Sequence, residues 1–473
     1  MSFGIITKIL NETIILLKND NITKKLNIHE IEIIKQNIYN KLLCKFKTSE
    51  LNIKLINEIF ERLFTIEYKL DYNISFENGN KCFREFENTY NDIIVLPKYI
   101  ELEKHFNKLK LLPQPVQRTK EWFDYRYNRI TASDTAAAID LNPYEPVESF
   151  ILKKCDPDFP FRDNVNVFHG KKYEPVATLI YEHIYNNRVF EFGALPSEKY
   201  IFLGASPDGI CSKYTLDNKF SERLGTMLEI KCPVTREIIT KGKIIGEICP
   251  FYYYCQIQQQ LECCELDICD FWQCKLVEYK NKTEYLIDKC VNNNIYEGEN
   301  NDILLNINSQ LKKGIIIEFY PKKFEPEFDN DNIEWKSKYI VPSRLDMSES
   351  EYDNWVLYIF DNYQKLYPDI YEKYYFNKII YWKLDRAHNV MIKKNNDFLQ
   401  NIIPILENTW NKIVYYRKNK HKLQELRDIA EQRKKYIKIN TNFKISNEEI
   451  IKDKLLFLNS TNSTKKNNND FID

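Results

Sequence analysis

Two short segments constrain the fold of this chain more than any other part of its sequence. Ser206-Pro207-Asp208-Gly209 places a carboxylate in a tight Pro/Gly bend, and Leu228-Glu229-Ile230-Lys231-Cys232-Pro233 is an apolar run that carries an acid and a lysine. Side chains two residues apart in a β-strand point to the same face of the sheet. Asp208, Glu229 and Lys231 can therefore meet at one place, where two carboxylates and an ammonium suit a divalent metal ion and phosphodiester chemistry.

The pattern around these two segments predicts an α/β core with a mixed central sheet flanked by helices. Strand-like runs fall at residues 189–192, 200–204, 227–231 and 268–276, and a helical run falls at 252–263. The polar side chains of this core would then lie at strand ends and on one inner face of the sheet.

The rest of the 473 residues is predicted to form additions to this core. Helical spacing of Ile and Leu predicts a helical N-terminal extension, and the alternate prolines Pro113 and Pro115 mark the linker that follows it. A long helix is predicted from about Asn396, with an interruption at Pro404. The predicted boundaries are 1–112 for the extension, 113–276 for the core, 277–377 for a polar insertion, 378–440 for the closing strand and helices of the core with a basic extension, and 441–473 for a largely disordered tail.

Composition limits the classes of function and location. The 68 basic and 68 acidic residues balance, so the basic excess typical of many nucleic-acid-binding proteins is missing and DNA binding would depend on local patches. The start of the chain lacks the features of a signal peptide, and no apolar stretch has the length of a membrane span. The 12 cysteines favour buried free thiols, with a metal cluster between Cys249 and Cys274 as the alternative.

The order of several motifs along the chain is more informative than any one of them, because a lone Pro-Asp-Gly or Glu-x-Lys is common in turns and surface strands. The set runs Trp122…Arg126…Ile130-Thr131-Ala132-Ser133, then Gly170…Glu174, then the two segments above, then Tyr253…Gln256-Ile257-Gln258. Over residues 117–275 this order resembles the YqaJ-like viral recombinase family, which includes the phage lambda exonuclease and belongs to the PD-(D/E)XK nuclease superfamily. A weaker match lies at residues 380–386.

The resemblance implies a restriction-endonuclease-like core and a metal-dependent deoxyribonuclease of the lambda-exonuclease type. Such an enzyme digests double-stranded DNA ends from 5′ to 3′ with Mg²⁺, or with Mn²⁺ as a substitute, and serves viral recombination or replication. The resemblance also implies a single-strand annealing protein as a partner and a homotrimer as the assembly. It places the protein inside the cell, in the host cytoplasm or at a viral replication site, with virion packaging as an alternative and secretion excluded.

The resemblance also assigns metal ligands, residue by residue. Asp208 and Glu229 would be the metal-binding carboxylates, and the carbonyl of Ile230 would be a further ligand. Glu174 would be an outer acid near a second metal ion. Two Mg²⁺ ions can neutralise charge on both the attacking and the leaving oxygen of a phosphoryl group.

Further roles follow from the same resemblance. Lys231 would hold or activate the attacking water, and Gln256 would help to fix the lysine and the water. Arg126 and Ser133, with help from Ser206, would bind the 5′-phosphate of the DNA end. An arginine fork and a hydroxyl beside backbone N–H groups are well suited to phosphate oxygens.

Each assignment has a structural alternative. Glu174 could lie on a solvated helix face, Gln256 could be an ordinary polar helix residue, and Arg126 could form a surface salt bridge. Trp122 is expected to be a core residue rather than a wedge between bases, and His169 is expected to be structural.

Two other functional readings remain open from the sequence. One is a DNA endonuclease or a Cas4-like iron–sulfur nuclease, for which the cysteine cluster is the only indication. The other is a catalytically inactive DNA-binding or virion structural protein that retains the fold. The intact set of Asp208, Glu229 and Lys231 argues against a loss of activity.

Overall fold

A computed structural model describes residues 93–115, 119–155, 165–288, 313–326, 332–345 and 347–441, together with Asn40. The chain divides into two compact units, Met1–Lys81 and Cys82–Asp473, and every element named below belongs to the second unit. Most of the predicted N-terminal extension and nearly all of the predicted tail lie outside the described residues.

Ten strands form two sheets within the described residues. The strands are β1 Ile130–Thr131, β2 Val189–Phe190, β3 Leu195–Pro196, β4 Leu203–Ala205, β5 Gly209–Cys211, β6 Met227–Lys231, β7 Ile268–Glu278, β8 Lys313–Pro321, β9 Lys338–Ile340 and β10 Tyr374–Lys393. The larger sheet has seven strands in the order β2-β5-β6-β7-β10-β8-β9, and the smaller has three in the order β1-β4-β3. Parallel pairing of β6 with β7, among antiparallel neighbours, makes the larger sheet mixed.

Eleven α-helices accompany these strands in the same part of the chain. They are α1 Ile100–Leu111, α2 Lys120–Tyr127, α3 Thr135–Ala138, α4 Val147–Cys155, α5 Val165–Tyr185, α6 Phe251–Cys263, α7 Lys282–Ile287, α8 Glu349–Leu366, α9 Pro368–Lys373, α10 Asn396–Lys418 and α11 Leu423–Thr441. Thr119 caps α2 by accepting a hydrogen bond from the backbone N–H of Trp122.

The two faces of the larger sheet are buried against different helices. Met227 and Phe271 lie in one apolar cluster with residues of α6 and α10, whereas Leu228, Ile230 and Trp272 lie in a second cluster with residues of α5. This division follows from the two-residue repeat of a strand, which sends alternate side chains to opposite faces. The predicted α/β core, with a mixed central sheet flanked by helices, is confirmed.

The segment predicted to be an insertion contributes to the same sheet. Strand β8 pairs antiparallel with the first half of β10, and β9 pairs with β8 at the edge. The second half of β10 pairs with β7, so one 20-residue strand joins the core strands to the added ones. The closing strand expected at residues 380–386 lies within β10, while the predicted domain boundaries stay predictions.

Three local expectations differ from the structure. Of the run 189–192, only Val189 and Phe190 lie in a strand. Of the run 200–204, only Leu203 and Gly204 lie in a strand, because Leu203 N–H bonds back to the carbonyl of Tyr200 and closes a turn. The helix expected to break at Pro404 runs without interruption from Asn396 to Lys418. Packing of its apolar face against the core compensates for the backbone hydrogen bond that a proline cannot make.

A buried glutamine of α6 joins the smaller sheet to the core. Gln259 is 1% exposed, and its amide donates to the carbonyls of Ile130 (2.9 Å) and Gly204 (3.0 Å). Its Oε1 accepts from the hydroxyl of Thr135 at 2.7 Å. These bonds satisfy backbone groups of β1 and β4 that lie away from water, and an unpaired buried polar group costs roughly 1–3 kcal/mol.

Gln259→Leu is expected to lower the free energy of unfolding by about 2–3 kcal/mol, because it removes these bonds at nearly constant side-chain volume. The measurement is urea denaturation followed by circular dichroism. Gln424→Leu, on an exposed face of α11, is the matched control and should change stability by no more than about 0.5 kcal/mol. Equal effects of the two substitutions would contradict this view of Gln259.

Candidate active site

The bend before β5 and the end of β6 bring the two predicted metal-binding acids together. Strands β5 and β6 are antiparallel, with Gly209 opposite Leu228, so Asp208 lies beside the next residue of β6, Glu229. The backbone N–H of Ile230 donates to Asp208 Oδ2 at 2.6 Å. This bond fixes one oxygen of the half-buried Asp208 carboxylate and leaves its other oxygen available for a ligand.

Glu229 is fully buried and is held from three directions. Its Oε1 accepts from Gln256 Nε2 at 2.6 Å and from the Lys231 ammonium, and its Oε2 accepts from Gln260 Nε2 at 2.7 Å. Gln260 also donates to the carbonyl of Ser206 at 3.2 Å. The sequence-predicted residues Asp208, Glu229, Lys231 and Gln256 are therefore brought together, and Glu229 has a fixed orientation.

Lys231 is an ammonium in this arrangement. Burial alone would favour its neutral form, but the carboxylates of Glu229 and Asp208 outweigh burial and raise the pKa of Lys231 above its usual value. Its Nζ also lies 4.7 Å from the centre of the Tyr253 ring, a favourable cation–π position. A charged lysine can orient a water molecule through its N–H groups but has no lone pair with which to accept a proton.

The carboxylate of Asp208 lies near other carboxylates whose negative charge opposes its own ionisation. Burial, followed by the carboxylates of Glu229 and Glu174, raises the pKa of Asp208 well above its usual value. The effect of Glu174, which lies on α5, places it within electrostatic reach of the two acids. Three carboxylates beside one ammonium give the ionised site a net charge of −2, which a single divalent cation would neutralise.

The donor set fits a hard cation that keeps part of its water shell. Within the described part of the chain, no group of three or more His, Cys, Asp or Glu side chains is arranged to hold a metal ion by itself. Mg²⁺ does not need such a cage, because it binds one or two carboxylates and completes its octahedron with water and substrate phosphate. Asp208 and Glu229 offer those carboxylates.

The structure brings two of the residues predicted to bind phosphate, Arg126 and Ser133, close to one carboxylate. Arg126 lies on α2 with its guanidinium 4.9 Å from the centre of the Trp122 ring, and Ser133 is exposed on the turn after β1. The two residues are linked through Asp134, whose carboxylate lies 3.7 Å from Arg126 and 2.7 Å from the Thr131 hydroxyl, itself 3.4 Å from Ser133 Oγ. Ser206 is bonded to Gln260 through its backbone carbonyl.

Other expectations concern single residues. Trp122 is half-buried and contacts Phe123 and Arg126, so it is not a core residue in this structure.

The cysteines that the structure describes are all buried free thiols, as expected. None of the helices in the described residues combines the length and hydropathy that crossing a membrane would require.

Sequence reasoning missed Gln260 and Asp134. Gln260 belongs to the run Gln256-Ile257-Gln258-Gln259-Gln260, and so many amides within an otherwise apolar helix are a signal for buried hydrogen-bonding roles. Asp134 directly follows Ser133, but its cationic partners Lys153 and Lys154 lie on α4, and nothing in the local sequence connects them.

Comparison with known proteins agrees with this geometry. Residues 121–267 match the family described as the YqaJ-like viral recombinase domain, and that range includes every predicted site residue. Residues 121–267 are therefore similar to the YqaJ-like viral recombinase domain. The family resemblance predicted from the ordered motifs is confirmed.

A relative of viral origin matches a longer part of the chain. An uncharacterized protein of Acanthamoeba polyphaga mimivirus is 35% identical over 355 residues, which cover 73% of this chain and 63% of the relative. The chain therefore spans less than two thirds of that relative's length.

Two solved structures show a distant overall likeness. An alkaline exonuclease from Laribacter hongkongensis, at 14% identity and a TM-score of 0.31, is covered over 99% of its length by 66% of this chain. The structure of the same enzyme in complex with dAMP is covered over 100% of its length by 64% of this chain, at 14% identity and a TM-score of 0.31.

Asp208→Asn is expected to raise the free energy of unfolding in EDTA at pH 7, because the substitution removes a charge that its buried surroundings disfavour. The folded-state pKa of Asp208 is raised, so stability is present below the unfolded pKa of about 3.9 and is lost as the pH rises toward the folded value. The gain from the substitution should therefore disappear below about pH 4. The measurement is urea denaturation across this pH range.

Asp217→Asn is the matched control for that substitution. A hydrogen bond from Lys219 lowers the pKa of the exposed Asp217, so loss of its charge should not stabilise the protein at pH 7. If Asp208→Asn lowered stability at neutral pH without metal, the carboxylates would not be in mutual repulsion.

Proposed function

We propose that this protein is a divalent-metal-dependent exonuclease that digests double-stranded DNA from its ends. The observation that carries the proposal is the cluster of Asp208, Glu229 and Lys231, which lies at the centre of the YqaJ-like domain and has three acids against one ammonium when Glu174 is included. Like-charged acids that are held together at the cost of stability are typical of functional sites.

The metal ion is Mg²⁺, with Mn²⁺ as a substitute. Asp208 and Glu229 would hold it, the Ile230 carbonyl would be a further ligand, and Glu174 would face a second ion. When bound, the metal supplies charge neutralisation at the phosphate oxygens and a more acidic water molecule. The free oxygen of Asp208 and the unused lone pair of Glu229 Oε2 are the available donors.

The protein residues orient the reaction. Gln256 and Gln260 hold the Glu229 carboxylate, so its oxygens keep a constant position during the reaction. Lys231, which donates to Glu229, would also orient the attacking water toward phosphorus as an ammonium. Such positioning in a site with preset charges is a large part of phosphoryl-transfer catalysis.

End recognition sets the direction of digestion. Arg126 and Ser133, with Ser206 near the acids, would bind a 5′-phosphate and give 5′-to-3′ polarity. A role in viral recombination or replication is part of the same proposal, and the similarity of residues 121–267 to the YqaJ-like viral recombinase domain supports it. A single-strand annealing protein as partner and a homotrimeric assembly are further parts of the proposal.

Linear duplex DNA should be digested in the presence of Mg²⁺, and Asp208→Asn, Glu229→Gln and Lys231→Gln should each reduce the initial rate by roughly 10²-fold or more. Each change removes a metal ligand or the group that orients water. The measurement is release of acid-soluble nucleotides from linear and circular substrates of equal length. Asp217→Asn and Lys199→Gln, at exposed positions, are controls that should retain the wild-type rate.

Digestion of the circular substrate distinguishes an exonuclease from an endonuclease, and a DNA-binding assay identifies an inactive DNA-binding protein. Cleavage of circular DNA as fast as linear DNA would favour an endonuclease. Tight duplex binding with no Mg²⁺-dependent digestion would favour an inactive DNA-binding or structural protein and would overturn the proposal.

A further inference from the structure

A buried carboxylate lies beneath three cations at the edge of the smaller sheet. The Asp134 side chain is 4% exposed, and its oxygens lie 3.1 Å from Lys154, 3.2 Å from Lys153 and 3.7 Å from Arg126. Burial opposes its charge, yet these cations and a hydrogen bond from Thr131 hold the pKa of Asp134 well below its usual range. Asp134 is therefore a fixed anion that gathers positive charge around it.

Lys154 is structural in this cluster. Its ammonium is 6% exposed and donates to the carbonyls of Arg126 (2.9 Å) and Arg129 (3.0 Å) in addition to Asp134. These contacts use all three of its N–H groups. Lys154 thus joins the end of α2 and the following turn to α4 and has no donor left for a ligand.

Arg126 and Lys153 have remaining capacity and face solvent. Arg126 is 26% exposed, and its guanidinium forms no hydrogen bond with any residue that the structure describes. Lys153 is 30% exposed and is shared between Asp134 and Glu145, at 3.2 and 3.5 Å, which leaves one N–H group. The three cations exceed the two carboxylates, so the cluster has a net charge of +1.

The hydroxyls of the turn lie beside these cations. Thr131 donates to Asp134 at 2.7 Å, and Ser133 Oγ lies 3.4 Å from the Thr131 hydroxyl. Ser133 is exposed, so its hydroxyl is accessible to a ligand. Arg126 and Lys153, both partly exposed, thus lie 3.7 Å and 3.2 Å from the Asp134 carboxylate, and the exposed Ser133 directly precedes Asp134 in the chain.

We propose that Lys153 binds the terminal phosphate of the DNA end together with Arg126 and Ser133, and that Asp134 is the positioning residue that holds both cations in place. This inference rests on the proposed exonuclease function and adds the residues that select the end. A terminal phosphate monoester carries a charge of about −1.5 to −2 at neutral pH, against −1 for an internal diester. A second exposed cation therefore favours the terminal group over the DNA backbone.

Lys153→Gln tests the inference in the full-length protein. Two linear duplexes that differ only in a 5′-phosphate or a 5′-hydroxyl are digested under identical conditions, and the ratio of their initial rates is measured. The substitution should lower the preference for the phosphate end by roughly tenfold, the effect of one hydrogen bond to a charged group. The rate on the hydroxyl end should not change, because Lys153 would contact only the phosphate.

Two further variants separate ligand contact from folding. Lys153→Arg, which keeps the charge, should restore most of the preference. Asp134→Asn should reduce the preference and should also lower the thermal midpoint below that of Lys153→Gln, because it leaves the buried Lys154 without its anion. Lys108→Gln, at an exposed lysine paired with Glu198, is the control and should behave as wild type.

The outcomes distinguish this inference from the proposed function. If the wild type digests DNA but Lys153→Gln keeps the full preference, or slows both duplexes equally, the role of Lys153 is overturned while the exonuclease stands. The same conclusion follows if the wild type digests both ends at one rate. If the wild type digests neither duplex, the exonuclease proposal fails and this inference fails with it.

Discussion

The site depends on the buried amides of helix α6. Gln258 donates to the carbonyl of Lys393 at 2.9 Å and accepts from Asn395 N–H at 2.7 Å, which fixes the end of β10. Gln259 joins β1 and β4, and Gln260 joins the bend before β5 to Glu229. Helix α6 therefore sets the positions of the acids relative to strand β1, which shortly precedes Ser133 and Asp134. Buried amides are costly when unpaired, so the protein has few alternative arrangements here.

The acids of the candidate active site repel one another, whereas opposite charges attract in the charge cluster formed by Asp134, Arg126, Lys153 and Lys154. Asp208 is destabilised as an anion by burial and by two carboxylates, whereas Asp134 is stabilised as an anion by three cations. The first environment lacks positive charge and the second lacks negative charge. As proposed, a metal ion bound at the acids and a terminal phosphate bound at the charge cluster would each neutralise the excess charge there.

The sequence predicted what depends on local periodicity and motif order. Strand β6 at Met227–Lys231 and helix α6 at Phe251–Cys263 fall within a residue of their expected bounds, because alternation and helical spacing are local properties. The meeting of Asp208 with Glu229 was predicted from the two motifs together, and the antiparallel pairing of β5 with β6 produces it. Pairing of β8 with β10 was not predictable, because a long-range strand partner leaves no local pattern.

Tertiary contacts explain the remaining differences. The charge state of Lys231 depends on two carboxylates from separate strands, and the state of Asp134 depends on α4 and α2. Two arginines of the predicted basic extension bind other parts of the protein: Arg417 donates to the carbonyls of Tyr127 and Lys154, and Arg433 pairs with Glu148 and Asp140. A count of charges along a sequence does not distinguish such arginines from DNA contacts.

The most direct test of the account is the location of bound Mn²⁺ by anomalous diffraction from crystals of the full-length protein soaked in manganese. The account predicts an anomalous peak at roughly 2.0–2.2 Å from carboxylate oxygens of Asp208 and Glu229. Well-occupied manganese elsewhere, with no peak within coordinating distance of Asp208, would contradict the central claim that these acids form the metal site.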